Sequence, residues 1–408
     1  YGLATMQSGE DASRMTVGIT LASGGTAALP EAMLSGGTLG GLLAFRRESL
    51  DTAQNALGRI ALGLAETFNA QHRLGQDLTG ALGGNFFTAP VPQVLTPNNP
   101  ANPAPITAPG TVSVAVGSAS ALTASDYRLT YNGGGNYTLL RLSDNTTLVN
   151  NAALPATVDG LAISVAGEPG NGASFLIQPT RAAAHDIAVA LTDARSIAAA
   201  APIRTAASNG NSGTGAISAG SVTSTTGLPL AASPGGDITL TFDSSLNQFT
   251  VTGGPGGTLA YNPAAEGTGK TFSFPTVGGF TFTVAGAPGD GDVFTISANS
   301  AGVADNRNAL LLAGLQTGKT LAGGTASYQS AYAQIVSDVG NKTREIQVTA
   351  TAQESVVKQA EEAQQSLSGV NLDEEAANLL RYQQAYQASG KMIEIADKLF
   401  NTLLELGR

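Results

Sequence analysis

Residue types that carry catalysis or bind metals are sparse in this chain. Its two histidines, His72 and His185, lie far apart in the sequence, and there is no cysteine among the 408 residues. A hydrolytic histidine or a zinc site needs convergent partners that act as nucleophile, orienting carboxylate or further ligands. The sequence has no nucleophile elbow, no zinc-protease motif and no P-loop. We therefore expect structural or surface roles for both histidines, and no catalytic residue, cofactor or metal ligand.

Two further motifs have both a chemical and a structural interpretation. Asp290 and Asp292 place carboxylates two residues apart, as in loops that bind Ca²⁺. The equivalent positions of an internal repeat hold Asn171 and Ala173, so a turn accounts for both copies whereas a metal accounts for one. The glycine-rich run 133–136 is typical of a hairpin loop rather than of a phosphate cradle. We predict turns at both motifs.

The composition limits the classes of partner. Charged residues make up 12 % of the chain, the formal net charge is −10, and no basic tract is present, which argues against nucleic acid. No apolar run reaches the roughly 20 residues of a membrane-spanning helix. The 51 glycines, with many Thr, Ser and Asn residues in the middle, predict β-structure with many turns. The absence of cysteine fits a protein that is exported unfolded and works outside the cell.

Residues 368–408 are predicted to form one long amphipathic helix. Large apolar residues repeat every seven positions in two neighbouring rows, which make one stripe on a helix. Asn371 can cap the first turn, and the acidic residues 373–375 face the positive end of the helix dipole. Such a stripe is a surface for another helix, in the same chain or in a neighbouring subunit. We call it the tail seam, and it consists of Leu372, Leu379, Tyr382, Tyr386, Ile393, Ala396, Phe400 and Leu403.

Two more amphipathic helices are predicted, over residues 38–75 and 326–367. Gly58 and Gly63 weaken the first helix but would allow another helix to approach closely. Because each helix is apolar on one face, we expect the two to pack together in a helical core. The residues assigned to this core are Leu50, Leu57, Ile60, Leu64, Phe68, Tyr332, Ile335, Val339 and Ile346.

The middle of the chain contains an internal repeat. Residues 165–177 return in altered form as residues 284–296, and Asp126–Tyr131 returns as Asp237–Phe242. Each copy alternates apolar and polar residues around a Pro-Gly-Asn-Gly or Pro-Gly-Asp-Gly sequence, the pattern of antiparallel hairpins. The repeat therefore predicts two related β-modules.

Helical segments are expected after both copies of the repeat. The Ala-rich stretch 182–202 is predicted to form a helix or helices that stop at Pro202, and residues 304–316 to form a short helix. Before the first copy, the Pro- and Asn-rich stretch 88–110 indicates a linker or an extended strap at a domain boundary.

The tail sequence resembles the C-terminal helix of the bacterial flagellar rod, hook and hook-associated proteins. Its most specific parts are NLDEE, from Asn371, and YQQAYQA, from Tyr382. Residues 36–87, with FNAQH and GQDLTGALGGNFF, resemble the hook-associated members that join hook to filament, and hook and rod proteins lack this segment. The segment ADNRNALLLAGLQ at 304–316 also resembles those members.

Together these patterns predict an α+β multidomain protein. A discontinuous, coiled-coil-like helical domain is built from both chain ends, and two related sandwich- or barrel-like β-modules are inserted between them. The predicted domains are residues 1–88 plus 320–408 (helical core with a small N-terminal β segment), 89–203 plus 300–319 (first β-module with Ala-rich helices) and 204–299 (second β-module).

The resemblance implies a structural flagellar subunit that forms the junction between hook and filament by helical self-assembly outside the cell. The partners it implies are copies of the same chain, the hook protein, the next hook–filament junction protein and an export chaperone that binds the C-terminal helix. It also implies export by the flagellar secretion system. In the family, further chain lies on the N-terminal side, including a helix that packs on the tail helix. Since this sequence starts at Tyr1, we expect it to begin partway into a longer protein.

Other functions remain open from the residues alone. An extracellular β-sandwich binding module or adhesin, or another flagellar axial protein of the hook or rod, would share the Cys-free, acidic, Gly- and Thr-rich middle. The long amphipathic helices at both ends distinguish these alternatives, because an adhesin needs neither. An enzyme comes third, since no group of residues supports a catalytic centre.

Overall fold

The computed structural model describes residues 2–9, 11, 13–21, 24–34, 36–96, 111–230, 236–274, 279–300, 302–368 and 372–407. The chain divides into two compact units, Tyr1–Val339 and Gly340–Arg408. Helices lie towards both ends of the sequence and β-sheets lie between them, which confirms the predicted α+β class. The domain boundaries given above remain predictions.

The first unit begins with a small antiparallel sheet followed by a long helical segment. The sheet has the order β1 (Gly2–Gln7), β2 (Met15–Thr20) and β3 (Thr26–Ala28). The helical segment comprises α1 (Gly37–Phe45), a π-helical turn at Arg46–Leu50 and α2 (Asp51–Arg73). The amide of Asp51 bonds to the carbonyl of Arg46, so residues five apart lie above one another at this turn.

The first β-module contains two sheets. Its strands are β5 (Gln93–Leu95), β6 (Thr111–Val116), β7 (Tyr127–Gly133), β8 (Asn136–Arg141), β9 (Thr146–Ala153), β10 (Ala156–Val158), β11 (Leu161–Ala166) and β12 (Ser174–Gln178), after a short β4 (Phe87–Thr88). One sheet has the order β5-β12-β7-β8-β9 and the other β10-β11-β6. Buried residues of both sheets, such as Leu129 and Ile163, share one core, so the module is a sandwich.

The Ala-rich stretch after β12 is helical only in short pieces, unlike the prediction. These are α3 (Ala183–Asp186) and a 3-10 turn at Ala194–Ser196, and between them β13 (Ala188–Val189) pairs with β4. Ala200 is extended because its backbone bonds to the loop after α2. The amide of Gln76 donates to the Ala200 carbonyl at 2.8 Å, and the Ala200 amide returns the bond at 3.1 Å. Tertiary hydrogen bonds therefore override the helix propensity of alanine here.

The second β-module is also a sandwich. Its elements are β14 (Ile203–Ala207), β15 (Ala216–Ile217), β16 (Ser221–Val222), β17 (Ile238–Asp243), β18 (Gln248–Thr252), β19 (Gly257–Ala260), α4 (Pro263–Glu266), β20 (Lys270–Phe274), β21 (Phe280–Ala285) and β22 (Val293–Ala298). One sheet has the order β14-β22-β17-β18-β19. In the other, β21 pairs with β15, β16 and β20.

The two modules have corresponding topologies, except that β15 and β16 together take the place of β6. The order β5-β12-β7-β8-β9 corresponds to β14-β22-β17-β18-β19, and in each module the hairpin β10-β11 or β20-β21 belongs to the opposite sheet. The aromatic pair between the central strands is repeated too. Tyr131 and Tyr137 have ring centroids 5.0 Å apart, as do Phe242 and Phe249. These correspondences support the duplication that the sequence repeat predicts.

The Pro-Gly-Asn-Gly and Pro-Gly-Asp-Gly sequences form the same turn. The amide of Gly172 donates to the Tyr131 carbonyl at 2.9 Å, and that of Gly291 donates to the Phe242 carbonyl at 2.8 Å. Both glycines have positive φ, 81° and 76°, which side chains other than glycine adopt at a cost. The turn interpretation is therefore confirmed for both copies.

Three helices complete the described chain. They are α5 (Arg307–Gly314), α6 (Tyr328–Ser368) and α7 (Leu372–Leu406). These agree with the three helices predicted after residue 303. The division between the two units falls within α6. The predicted cap Asn371 lies outside the described residues.

Independent cores predict independent unfolding of the modules. Phe249 is fully buried in the second module, and truncating such a phenylalanine costs about 3–5 kcal/mol. We expect Phe249→Ala to lower the melting temperature of one calorimetric transition and leave the other unchanged. The matched change in the first module, Tyr137→Ala, should shift only the other transition. A common shift of both transitions by either variant would contradict separate cores.

Candidate assembly surface

The tail seam lies uncovered on α7. Its seven large side chains are between 61 % and 82 % exposed in the described chain, and Ala396 is exposed as well. The acidic residues Asp373, Glu374 and Glu375 occupy the first turn, as predicted. An apolar stripe of this length is unusual on a protein surface, and large exposed apolar patches are typical of contact surfaces.

A second apolar row on α7 was missed by the sequence reasoning. Met392, Ile395, Leu399 and Leu406 follow three-, four- and seven-residue steps, and all four are exposed. On a helix this row lies beside the tail seam, so the C-terminal half of α7 is apolar over about half of its circumference. The 3-4-7 spacing was the available signal, but the stronger seven-residue repeat obscured it. A helix with two such rows can be covered by two neighbours.

The residues assigned to a helical core are only partly covered in the described chain. Leu50 and Leu57 are exposed, while Ile60, Leu64 and Phe68 are half-buried. On α6, Tyr332, Val339 and Ile346 are exposed and Ile335 is half-buried. A hydrogen bond between the hydroxyls of Thr67 and Tyr328 joins the two helices within the first unit. Helix-to-helix packing of the predicted core residues therefore remains a proposal.

The buried face of α2 is a different one, and it packs on β-structure. Its residues are Asn55, Gly58, Leu62, Gly63, Ala65, Asn69 and His72. Leu62 enters the core of the first β-module. Asn69 accepts the amides of Phe86 and Phe87, each at 2.8 Å, and so fixes β4 against the helix. The sequence predicted an apolar row on this helix but did not predict which face is buried, because the buried face consists mainly of small and polar residues.

Gly58 permits the closest approach on this face. A Cβ at Gly58 would lie 1.7 Å from the carbonyl oxygen of Thr180, in the segment that follows β12. A Cβ at Gly63 would lie 2.4 Å from a methyl group of Leu321. Both glycines do allow a close approach, as expected, but the neighbours are a backbone segment of the β-module and a leucine side chain.

Both histidines have the structural roles predicted for them. His72 is fully buried; its Nε2 accepts the Ala198 amide at 2.9 Å, which leaves Nδ1 protonated to donate to the Gly84 carbonyl at 2.9 Å. The imidazole thereby links α2 to the two loops beside it. His185 is exposed, and its Nδ1 lies 2.8 Å from a carboxylate oxygen of the neighbouring Asp186.

The two aspartates of the second turn accept hydrogen bonds from the protein. Asp292 accepts the amide of Ser212 at 2.7 Å and that of Gly289 at 2.8 Å, and Asp290 accepts the amide of Ser244 at 2.9 Å. Burial raises the pKa of Asp292. The hydrogen bonds from the Ser212 and Gly289 amides lower the pKa by more than that, so it lies below its ordinary value. In the described ranges, no three His, Asp or Glu side chains are grouped in a way that could hold a metal ion.

A polar joint attaches the second module to the rest of the first unit. Arg307 at the start of α5 donates to the carbonyls of Ile203 and Ala219, and pairs with Asp305 at 2.8 Å. Asp305 also accepts from Asn299 at 2.8 Å. Burial raises the pKa of Asp305, yet the hydrogen bonds and charge of Arg307 lower it below its ordinary value. The entry and exit strands of the module are thus held at one place.

Replacing Gly58 by alanine tests the packing of α2. The new methyl group would overlap the Thr180 backbone. We therefore expect Gly58→Ala to lower the free energy of unfolding of the first β-module, measured in denaturant, by about 3 kcal/mol or more. Gly340→Ala on α6 is the control, because nothing lies within 4 Å of that Cβ and the change should favour the helix. Equal stability of the wild-type and Gly58→Ala proteins would show that α2 does not dock as described.

Family models match three parts of the chain. Residues 1–87 match the helical domain of flagellar hook-associated protein FlgK, residues 100–179 a D2-like domain of flagellar hook-associated protein 1, and residues 357–406 the C-terminal domain of flagellar basal body rod proteins. These segments include α2, most of the first β-module and α7. None of the described helices is both long and apolar enough to cross a membrane.

Whole-chain relatives carry the same description. Flagellar hook-associated protein 1 of Escherichia coli K12 is 30 % identical over 406 residues, and that of Salmonella typhimurium LT2 is 31 % identical over 408. Both alignments cover 99 % of this chain but only 55 % and 56 % of the relatives, so the chain spans about half of their length.

A solved structure extends the similarity to the fold. The flagellar hook junction protein FlgK from Burkholderia pseudomallei is 34 % identical, with a TM-score of 0.79 over 90 % of this chain and 70 % of that one. These findings confirm the resemblance drawn from the tail and from residues 36–87. The chain belongs to the FlgK family, flagellar hook-associated protein 1.

Proposed function

We propose that this chain is a structural subunit of the bacterial flagellum, at the junction between hook and filament, and that it assembles through the tail seam. The observation that carries the proposal is the uncovered stripe on α7 in a chain of the FlgK family. Burying such side chains is worth roughly 1.5–3 kcal/mol each, so covering the seam releases free energy on the order of 10 kcal/mol. That is enough to drive helix association outside the cell.

The seam defines the partners of the subunit. One neighbour is a helix of the same protein or of another copy, and the exposed row of α2 with Leu50 and Leu57 offers a matching apolar surface. The second row with Met392 and Leu399 leaves room for another neighbour. The hook protein lies on one side of the junction and the next junction protein on the other.

Export accounts for two further partners. The seam would expose apolar surface before assembly, so an export chaperone covers α7 until the subunit leaves the cell through the flagellar secretion system. A chain without cysteine cannot be trapped by disulfides on this route. The subunit then works outside the cell and performs no catalysis.

The β-modules fit a role away from the seam. Their apolar residues are buried in two cores, and the exposed residues on the strands of the second module are mostly Thr, Ser and Ala. An adhesin would need such modules but not the two long helices α6 and α7, which together hold 76 residues. The helices therefore favour the junction over the adhesin.

A double substitution in the seam tests the proposal in cells. Leu379→Asp with Ile393→Asp in the complete natural protein should leave the β-modules folded, because neither residue contacts them in a buried core. Charges in the seam should block incorporation, so that cells make hooks without filaments and secrete unattached flagellin, as seen by electron microscopy and immunoblot of the medium.

The matched control places two carboxylates on the polar face at the same spacing, Gln387→Asp with Asn401→Asp. Both positions are exposed and lie outside the two apolar rows. This variant should assemble normal filaments. Filaments and swimming in cells with the seam variant would overturn the proposal, and loss of filaments in both variants would show that charge rather than the seam is responsible.

A further inference from the structure

The three-stranded sheet β1–β3 is attached to the first unit without an apolar core of its own. Among its described residues no apolar side chain is buried; Val17 and Ile19 are half-buried, and Leu3 and Met15 are exposed. Apolar burial is the usual source of docking free energy for a sheet. The polar contacts of this sheet must therefore contribute much of its attachment.

Two arginines make those contacts. Arg14, just before β2, pairs with Asp51 at the start of α2 through two hydrogen bonds of 2.7 Å and 2.9 Å, the bidentate geometry that orients strongly. Arg46, in the π-helical turn, donates to the Met15 carbonyl at 3.4 Å and pairs with Glu31, in the 3-10 turn Glu31–Met33 that follows β3. The sheet is thus joined to the helix from both directions by charged side chains.

The π-helical turn explains why these groups meet. In a regular α-helix, residues five apart point about 140° away from each other, whereas the wider π-turn aligns them. Arg46 and Asp51 are five apart and span this turn. The extra residue therefore directs a cation and an anion of the helix towards the same sheet.

Asp51 is shared between the sheet and the first β-module. Its Oδ1 also contacts Nη1 of Arg181 at 2.6 Å, and Arg181 in turn pairs with Asp126. A cavity of about 360 Å³ lies beside these pairs. The charged residues that line it are Asp11, Arg14, Glu31, Arg46, Arg47, Asp51, Asp126 and Arg181, four of each sign. The site is neutral overall, so it does not select an ionic ligand, and solvent in the cavity lets salt reach the pairs.

We propose that the sheet β1–β3 is a flap, held against the start of α2 by the Arg14–Asp51 and Arg46–Glu31 pairs, and that it opens when these pairs are screened or neutralised. Arg181 keeps Asp51 compensated when the flap leaves, so the helix and the first module stay folded in the open state. The flap is a conformational device that depends on charge and not on a bound ligand.

The direction of the pH dependence follows from Asp51. Burial raises its pKa, but the hydrogen bond from Arg14 and the positive charges of Arg181 and Arg46 outweigh this, so the pKa lies below its ordinary value. A carboxylate of lowered pKa stabilises the closed state above its ordinary pKa and stops doing so when the pH falls through the lowered value. The flap therefore stays closed at neutral pH and opens in acid, as the pH falls through the lowered pKa of Asp51.

Spin labels on the cysteine-free chain can measure the opening. Thr5→Cys in β1 and Gln54→Cys on α2 are exposed positions outside the charged pairs, and they supply the only two thiols among these 408 residues. Any cysteine elsewhere in the complete protein is replaced by serine. In the complete natural protein at pH 7 and low salt, double electron–electron resonance spectroscopy should give one narrow distribution of the distance between the two spin labels. In 1 M NaCl, or with Arg14→Gln and Arg46→Gln together, the distribution should broaden and move to longer distances.

The control is Arg195→Gln, which removes an exposed pair with Asp193 far along the sequence and should leave the distribution narrow. Circular dichroism checks that the β-modules stay folded in each sample. If neither salt nor the double arginine variant changes the distribution, the flap is held by other contacts and the proposal is wrong. Broadening by Arg195→Gln as well would also overturn it.

Discussion

The close contact between Gly58 and the Thr180 backbone is the constraint on which the described first unit depends. It lets α2 approach the first β-module closely enough for Leu62 to enter the module core. Further along the same face, Asn69 and His72 bind the loops that follow the helix. One face of α2 is therefore committed to β-structure. Its other apolar row, with Leu50 and Leu57, remains exposed.

The β-modules and the long helices differ in how far their apolar residues are covered. The second β-module has a core built from its own residues, whereas the core of the first also includes Leu62 of α2. The helices in turn have apolar rows that no described residue covers, most clearly on α7. A chain built in this way is stable as a subunit and still has unsatisfied apolar surface to offer. The second module is attached to the rest of the first unit through the contacts of Arg307.

The features that follow from local patterns could be predicted from the sequence. The seven-residue repeat identified α7, and the Pro-Gly-Asn-Gly and Pro-Gly-Asp-Gly turns identified the duplicated modules, because glycine at positive φ is a local requirement. Features set by distant partners could not be predicted. Ala200 lies in a stretch predicted to be helical, but it is extended because its backbone amide and carbonyl bond to Gln76. The buried face of α2 could not be predicted, because polar residues such as Asn69 and His72 are usually on the surface unless they have hydrogen-bond partners in distant segments.

The candidate site divides in the same way. The tail seam was visible as a strong period, whereas the second row, with Met392 and Ile395, became evident only once the whole helix was seen to be exposed. The charged flap contacts of Arg14 and Asp51 join residues far apart in the sequence, and no period connects them. Their pairing depends on the π-helical turn, which has no simple sequence signature.

We propose that the tail seam is covered when the subunit assembles. Single cysteines at Leu379→Cys in the seam and Gln387→Cys on the polar face of α7 would be the only thiols in the chain. In the free subunit both should react readily with a maleimide probe, because both positions are exposed. In isolated hook–filament junctions, the account predicts that the thiol at 379 loses most of its reactivity while the thiol at 387 retains it. Equal reactivity of the thiol at 379 in the free and assembled protein would contradict the account.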